Sequence, residues 1–264
     1  MFVAYGIMTI FWAVNGFRFG IEQCGKVLLI SLAGTFALFL TALCIIMVKK
    51  YITLVRLRNR RLYTGSDKKY FSMLKKYLGG LHSDNSRLCF AYRCAESGKC
   101  KRCLATLKKI DYTQLMNRNK AEYLNTLLYC AVVSGRKKLA EETYIRGSQL
   151  LYTGAKYKGN EHFCLTLGLY SMSHGDYFWG ESLLKNACAS KYKDVKCNAL
   201  LALSQYYLEQ GKYNQSKSCI IGAGKCLMSL EQCKKMRKQM ITIQNIFGVK
   251  KRKTDKRKEN CYDN

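Results

Sequence analysis

Four cysteines, Cys89, Cys94, Cys100 and Cys103, fall within 15 residues, and Cys100-Lys101-Arg102-Cys103 is a C-x-x-C. Thiolates are soft ligands, four of them suit zinc, and basic neighbours such as Lys101 and Arg102 lower a thiol pKa. The spacing C-x4-C-x5-C-x2-C is not a standard zinc pattern, however. Cys94 and Cys103 also coincide with helix-packing positions, where a small apolar residue suffices. The expectation is therefore core packing, with no metal and no cofactor. Cys219, Cys226 and Cys233 recur every seven residues, which on helices reads as one buried stripe. Cys261 opens a terminal C-Y-D-N whose middle residues are not aliphatic, so it is not a prenylation box. His82, His162 and His174 stand far apart; His174 precedes a turn glycine and reads as solvated, whereas His162 lies on a helix. The sequence holds no P-loop, G-x-S-x-G, H-E-x-x-H or G-x-G-x-x-G motif. No catalytic residue is expected and the chain does not read as an enzyme, so function must lie in surfaces.

Those surfaces are carried by helices. The chain has 264 residues, 14 cysteines, no proline and a net charge of +28. Average usage would supply proline at roughly 5%. Its absence excludes proline-rich linkers and polyproline ligands and suits helices joined by short Gly, Asn or Asp turns. Val27–Val48 is 22 residues without a charge, about 33 Å as a helix, which matches a hydrocarbon core of roughly 30 Å and predicts a transmembrane helix. Phe2–Phe17 is a shorter apolar run, either a second span forming a hairpin through Arg18–Lys26 or an interfacial helix. Ten basic residues lie between Lys49 and Lys76 against one acid, Asp67. The positive-inside rule then places everything after residue 48 in the cytoplasm, a reducing compartment where thiols stay free. Lys49, Lys50, Arg56, Arg58, Arg60 and Arg61 are expected at anionic membrane lipids, at about 1 kcal/mol each near the surface.

Beyond residue 83 the chain repeats. Turn signals Ser97-Gly98-Lys99, Ser134-Gly135-Arg136, His174-Gly175-Asp176-Tyr177 and Gln210-Gly211-Lys212-Tyr213 place glycines 37, 40 and 36 residues apart. A run with helical apolar spacing precedes and follows each one. Before Gly211, Leu200, Leu203 and Tyr207 share a face; after it, Ser216, Ile220 and Ala223 do. The equivalent positions are Cys164, Leu167, Gly168, Ser171, then Gly180, Leu184, Ala187 in the third unit. In the second they are Leu124, Leu127, Ala131, then Ala140, Tyr144, Gly147. Five positions after each turn glycine stands a small residue, Cys103, Ala140, Gly180 or Ser216, where two antiparallel helices would approach closely.

These positions, with Gly168 at the small site of a first helix and the G-D-Y and G-K-Y turns, resemble the tetratricopeptide-repeat family over roughly residues 84–230. The sequence departs from the family in lacking every closing proline, in having Arg87, Leu124, Cys164 and Leu200 where a first-helix Trp is usual, and in its longer spacing. The resemblance implies that the first helices line a concave groove that receives an extended peptide or a partner helix. Carried over by position, that groove comprises Asn85, Tyr92, Asn125, Tyr129, His162, Met172, Asn198 and Gln205. Amides bond a peptide backbone in both senses, and Tyr and Met supply adaptable apolar contact. The absence of Lys and Arg there is unlike the subclass that clamps a C-terminal carboxylate.

Flanking signals complete an all-α organisation. Ser66-Asp67 caps a predicted helix to Leu78, ahead of Gly79-Gly80. Ser229 with Gln232 forms a capping box for a helix whose Leu230, Cys233, Met236, Met240, Ile243 and Phe247 share one face. The expected plan is an anchor at 1–48 (span 27–48, with 2–17 as the candidate second span), a basic juxtamembrane helical linker at 49–83, and four helix-turn-helix units at 84–230. A capping helix at 231–248 and a disordered basic tail at 249–264 follow. The expected function is a bacterial-type, membrane-anchored cytoplasmic scaffold or adaptor for a protein or peptide partner. The alternative is a membrane-tethered nucleic-acid- or ribosome-binding protein acting through the tail.

Overall fold

Leu, Ala, Ile and Phe without a proline or a charge give a helix no reason to stop, and the first described element is correspondingly long. The computed structural model describes residues 21–64, 68–226 and 230–259. The candidate span at 2–17 and the caps at Ser66-Asp67 and Ser229 lie outside them. Helix α1 runs Ile21–Thr64, 44 residues. Its segment Ile30–Leu57 is long and apolar enough to cross a membrane, with a mean hydropathy of 2.3 over its most apolar window and none of that window buried. The hydroxyls of Thr35, Thr41 and Thr53 bond carbonyls of their own helix, which leaves those groups satisfied without water. Lys and Arg are good helix formers, so α1 continues past residue 48 through the basic run.

The chain divides into two compact units, Met1–Arg56 and Leu57–Asn264. All described elements of the second are helices: α2 (Lys68–Tyr77), α3 (Asp84–Glu96), α4 (Cys100–Leu107), α5 (Asn117–Val133), α6 (Lys137–Lys156), α7 (Glu161–Ser173), α8 (Tyr177–Cys188), α9 (Lys193–Glu209), α10 (Tyr213–Gly224) and α11 (Leu230–Glu259). No strand occurs among the described residues. Consecutive helices pair as α3/α4, α5/α6, α7/α8 and α9/α10, and each pair also meets the next.

The turn glycines explain the pairing. Gly98, Gly135, Gly175 and Gly211 all hold φ between 70° and 84°, a conformation that costs a residue with a Cβ roughly 1–2 kcal/mol. Around each, the same two hydrogen bonds close the first helix. Lys99, Arg136, Asp176 and Lys212 donate N–H to Cys94, Ala131, Ser171 and Tyr207, and the glycine donates to the carbonyl three residues back. This is the Schellman arrangement, which reverses the chain at once. The small residues then sit at the crossing: Cys103, Ala140 and Ser216 are 0–2% exposed. A Cβ on Gly180 would lie 3.1 Å from the Met172 backbone nitrogen and 3.2 Å from the Gly168 carbonyl. In the last pair Ser216 Oγ lies 2.8 Å from Ser204 Oγ and donates to the Ser204 carbonyl at 2.9 Å.

The first helices of successive pairs run parallel and side by side. Asn119 near the start of α5 bonds Asn85 near the start of α3, Glu122 meets His162 at the start of α7, and Gln232 on α11 bonds Asn198 on α9. One core, with Leu124, Leu128, Leu151, Phe163, Leu167 and Leu184 at its centre, joins α5 to α9. At the other end α2 covers the first pair: Phe71 packs edge-on against Phe90 at 5.7 Å, and the Arg102 guanidinium lies over both rings at 4.9 and 5.0 Å.

Two expectations are corrected. The buried stripe of α11 is Gln232, half-buried Met236, Gln239 and Ile243, because two glutamines are bonded to α9, and Cys233 is exposed. Cys219 and Cys226 are half-buried, so the seven-residue cysteine periodicity is not one buried stripe. Helix α11 runs on to Glu259, past the expected end of the capping helix at 248.

The crossing geometry makes a prediction. Gly180→Ala should destabilise the full chain by about 1–2 kcal/mol, since overpacking against backbone exceeds the gain in helix propensity. Gly222→Ala meets only the Leu200 side chain, at 3.3 Å, and should leave stability unchanged or raised. Urea unfolding followed by circular dichroism separates the two; equal midpoints would contradict the close crossing.

Candidate functional site: the inner face of the first helices

Parallel first helices bring equivalent positions together, and the residue thirteen before each turn glycine is Asn85, Glu122, His162 or Asn198. Asn119 Nδ2 donates to Asn85 Oδ1 at 2.8 Å. His162 Nε2 lies 3.1 and 3.2 Å from the two oxygens of Glu122, with both side chains largely covered. The ring of Tyr92 stands edge-on to His162 at 6.0 Å, so α3 and α7 touch across the intervening α5. On α5 itself, Glu122, Asn125, Tyr129 and Val132 form one stripe by helical spacing. Asn125 is 3% exposed, and its Oδ1 accepts no hydrogen bond; the same holds for the hydroxyl of neighbouring Thr126.

Electrostatics set this cluster apart from a chain that is strongly basic. Burial, then the carboxylate of Glu96, holds the Tyr92 phenol well above the usual range; Glu122 and Asp194 push the same way, and Arg93 opposes them. Burial raises Tyr129 likewise, followed by Cys100, Cys130 and Glu231. Glu231 belongs to α11, yet its carboxylate sits against Gly98 of the first turn. Acids from α3, α5, α9 and α11 therefore surround two tyrosines.

Of the groove residues read from sequence, Tyr92, Asn125, Tyr129 and His162 belong to this cluster. Asn85 is exposed and tied to Asn119. Met172 is half-buried, with its side chain where a Cβ on Gly180 would be. Asn198 and Gln205 are engaged by the chain's own α11: Gln232 Nε2 donates to Asn198 Oδ1 at 2.7 Å, and Gln239 Nε2 approaches Gln205 Oε1 at 3.4 Å. Glu122, Gln232 and Gln239 escaped the sequence reading. The signal for Glu122 was its offset from Gly135; for the glutamines it was a separation of 34 residues from Asn198 and Gln205, the same as between Asn85 and Asn119.

The cysteines assemble differently from their sequence cluster. Cys89 is exposed, whereas Cys94, Cys100, Cys103 and Cys130 are buried. Cys130, from α5, lies beside both thiols of the C-x-x-C. The neighbouring Cys130 thiol and then burial push Cys100 up, and Cys130, though lowered by Cys100, is raised overall by Cys103 and burial. Such thiols stay protonated at neutral pH and pack as small apolar groups. Among the described residues no group of three or more His, Cys, Asp or Glu is arranged to hold a metal ion. Lys49, Lys50 and Arg56 are exposed on α1, and Arg58, Arg60 and Arg61 follow on the same helix.

No protein-family model matches this chain, and neither the curated proteins nor the solved structures yield a match.

The raised phenols and thiols fix the sign of a pH dependence. A group whose folded pKa lies above its unfolded value contributes stability that is complete below the unfolded value, about 8.5 for thiols and 10 for phenols, and is lost as pH rises beyond it. The urea midpoint should fall between about pH 8 and pH 10.5, and Tyr92→Phe with Tyr129→Phe should flatten the upper part of that fall. A midpoint independent of alkaline pH in the parent chain would contradict the assigned burial.

Proposed function

We propose that this chain is a membrane-anchored scaffold or adaptor whose tetratricopeptide-like solenoid binds a protein partner on the inner face of its first helices, on the cytoplasmic side of the membrane. Support for the repeat reading comes from the Schellman turns, the small residues at each crossing and the 34-residue separation of side-chain pairs between neighbouring first helices. Support for the orientation comes from the basic run that follows the apolar segment of α1. The observation that carries the binding reading is the unpartnered buried acceptor of Asn125, in a stripe that ends in half-buried Val132 beside exposed Val133. The matching stripe on α7 ends in half-buried Leu169 and Met172.

A buried carbonyl without a donor costs roughly 1–3 kcal/mol, which a peptide N–H or amide would relieve. The C-terminal halves of the first helices offer apolar contact, and the N-terminal halves offer Glu122, with Asp194 and Glu231 nearby. Carboxylates there repel an acidic or C-terminal ligand and favour a neutral or basic segment. The partner is accordingly a peptide or helix with apolar anchors and no clustered acids.

Two measurements test this. Tagged full-length protein taken from native membranes should recover a discrete partner whose yield falls about tenfold with Tyr92→Ala plus Val133→Glu, equivalent to about 1.4 kcal/mol, while helix content is retained. A partner set indifferent to both substitutions would sink the inner-face assignment. For orientation, a membrane-impermeant maleimide should modify Cys89 in intact cells only after the membrane is opened; modification beforehand would reverse the topology.

A further inference from the structure

Because the first helices are parallel and each ends in a Schellman turn, the four turns lie along one edge of the second unit. That edge has a composition of its own. Its first two turns present exposed Lys99, Lys101, Arg136, Lys137 and Lys138, and its fourth presents Lys212. The third carries three consecutive aromatics at the start of α8: Tyr177 at 44%, Phe178 at 86% and Trp179 at 43% exposed. Phe178 is the most exposed large apolar side chain among the described residues. Its position follows from the helix. Gly180, Leu184 and Ala187 face the paired α7, which turns Phe178 outward. Tyr177 stacks on Tyr206 of the next first helix, ring centroids 5.5 Å apart, which holds the first of the three aromatics.

The acids of these turns are engaged by the protein's own groups. Glu96 is paired with Arg93 at 2.9 Å, Glu209 accepts from Gln205 at 2.8 Å, and Asp176 caps α8 through the Trp179 N–H at 3.2 Å. Glu141 and Glu142 lie a turn further along α6. The first two turns thus present cations along the same edge as the exposed aromatic tip.

We propose that this edge is a second membrane contact, with Tyr177, Phe178 and Trp179 seated at the headgroup level of an anionic bilayer and the turn lysines and Arg136 on its phosphates. Trp and Tyr favour that boundary because an apolar body and a polar tip are both satisfied there. Lys and Arg are attracted by anionic lipids within a Debye length. The contact rests on the reading of α1 as a span. With the chain tethered, docking is an intramolecular step, so a small patch suffices where a free protein would need a larger one. It is separate from the inner face, whose partner it leaves accessible.

The two tryptophans, Trp12 and Trp179, make the test direct. Trp12→Phe leaves Trp179 as the sole reporter in the full chain, reconstituted into phosphatidylcholine vesicles containing about one-third phosphatidylglycerol. Lipids brominated near the headgroup end of the acyl chain should quench Trp179 about twofold, and acrylamide should quench it weakly. Removing phosphatidylglycerol, or introducing Arg136→Ser, Lys137→Ser and Lys138→Ser together, should restore acrylamide quenching. Trp179 open to acrylamide and untouched by brominated lipid, in a chain that resists alkaline carbonate extraction, would overturn the docking edge and leave the anchor standing. Extraction by carbonate would overturn the anchor and the tethered contact with it. Shielding of Trp179 that arises only on adding a membrane protein extract would assign the tip to a protein and likewise overturn the proposal.

Discussion

Two helix backbones can lie close together only where no side chain stands between them. In this chain that constraint is met at Cys103, Ala140, Gly180 and Ser216, five positions after a glycine with positive φ. Everything else in the second unit follows from the pair. A tight reversal at the glycine sets which faces meet, the close crossing sets their depth, and the remaining apolar stripe of each pair must be covered by the next. Phe163 and Leu184 are buried only because neighbouring elements reach them. A proline at the end of each unit is one way to close a repeat; here the reversal is carried by the glycine and its two hydrogen bonds, and the missing prolines do not prevent stacking.

Parallel stacking also determines what the inner face can do. Polar side chains brought to the same height by successive helices bond one another first, so Asn85, Asn198 and Gln205 spend hydrogen-bonding capacity inside the protein. Asn125 is left with an unpartnered acceptor, and Tyr92 and His162 close across the face. In a chain with a net charge of +28, the carboxylates of Glu96, Glu122 and Asp194 act together on Tyr92.

Much of the fold was legible in the residues because its determinants are local. Helical spacing marked Leu124, Leu167, Leu184, Leu203 and Ala223 as interior, and all are buried. Positive φ at a turn glycine is a property of one residue, and a 22-residue uncharged run needs no tertiary context to be read as a long apolar helix. Local reasoning failed where a polar residue was buried by a partner far along the chain. Apolar spacing alone defines the face of α11 by Leu230, Cys233, Met236, Met240, Ile243 and Phe247, and it gives no sign that Gln232 and Gln239 are buried, because α9 supplies their hydrogen bonds.

The cysteines show the same boundary. Proximity in sequence grouped Cys89 with Cys94, Cys100 and Cys103, but successive positions on a helix point in different directions, so Cys89 faces water. Cys130 enters from the following pair instead, at a distance along the chain that no spacing rule would weigh. The helices, their reversals, their small crossing residues and the apolar segment of α1 are legible in the residues, since each depends on side-chain size, charge or backbone freedom at nearby positions. Which polar groups are paired, which acids surround Tyr92 and which aromatics are left outside emerges on packing. Those outcomes depend on the register between helices, and register is a property of the packed assembly rather than of any one segment.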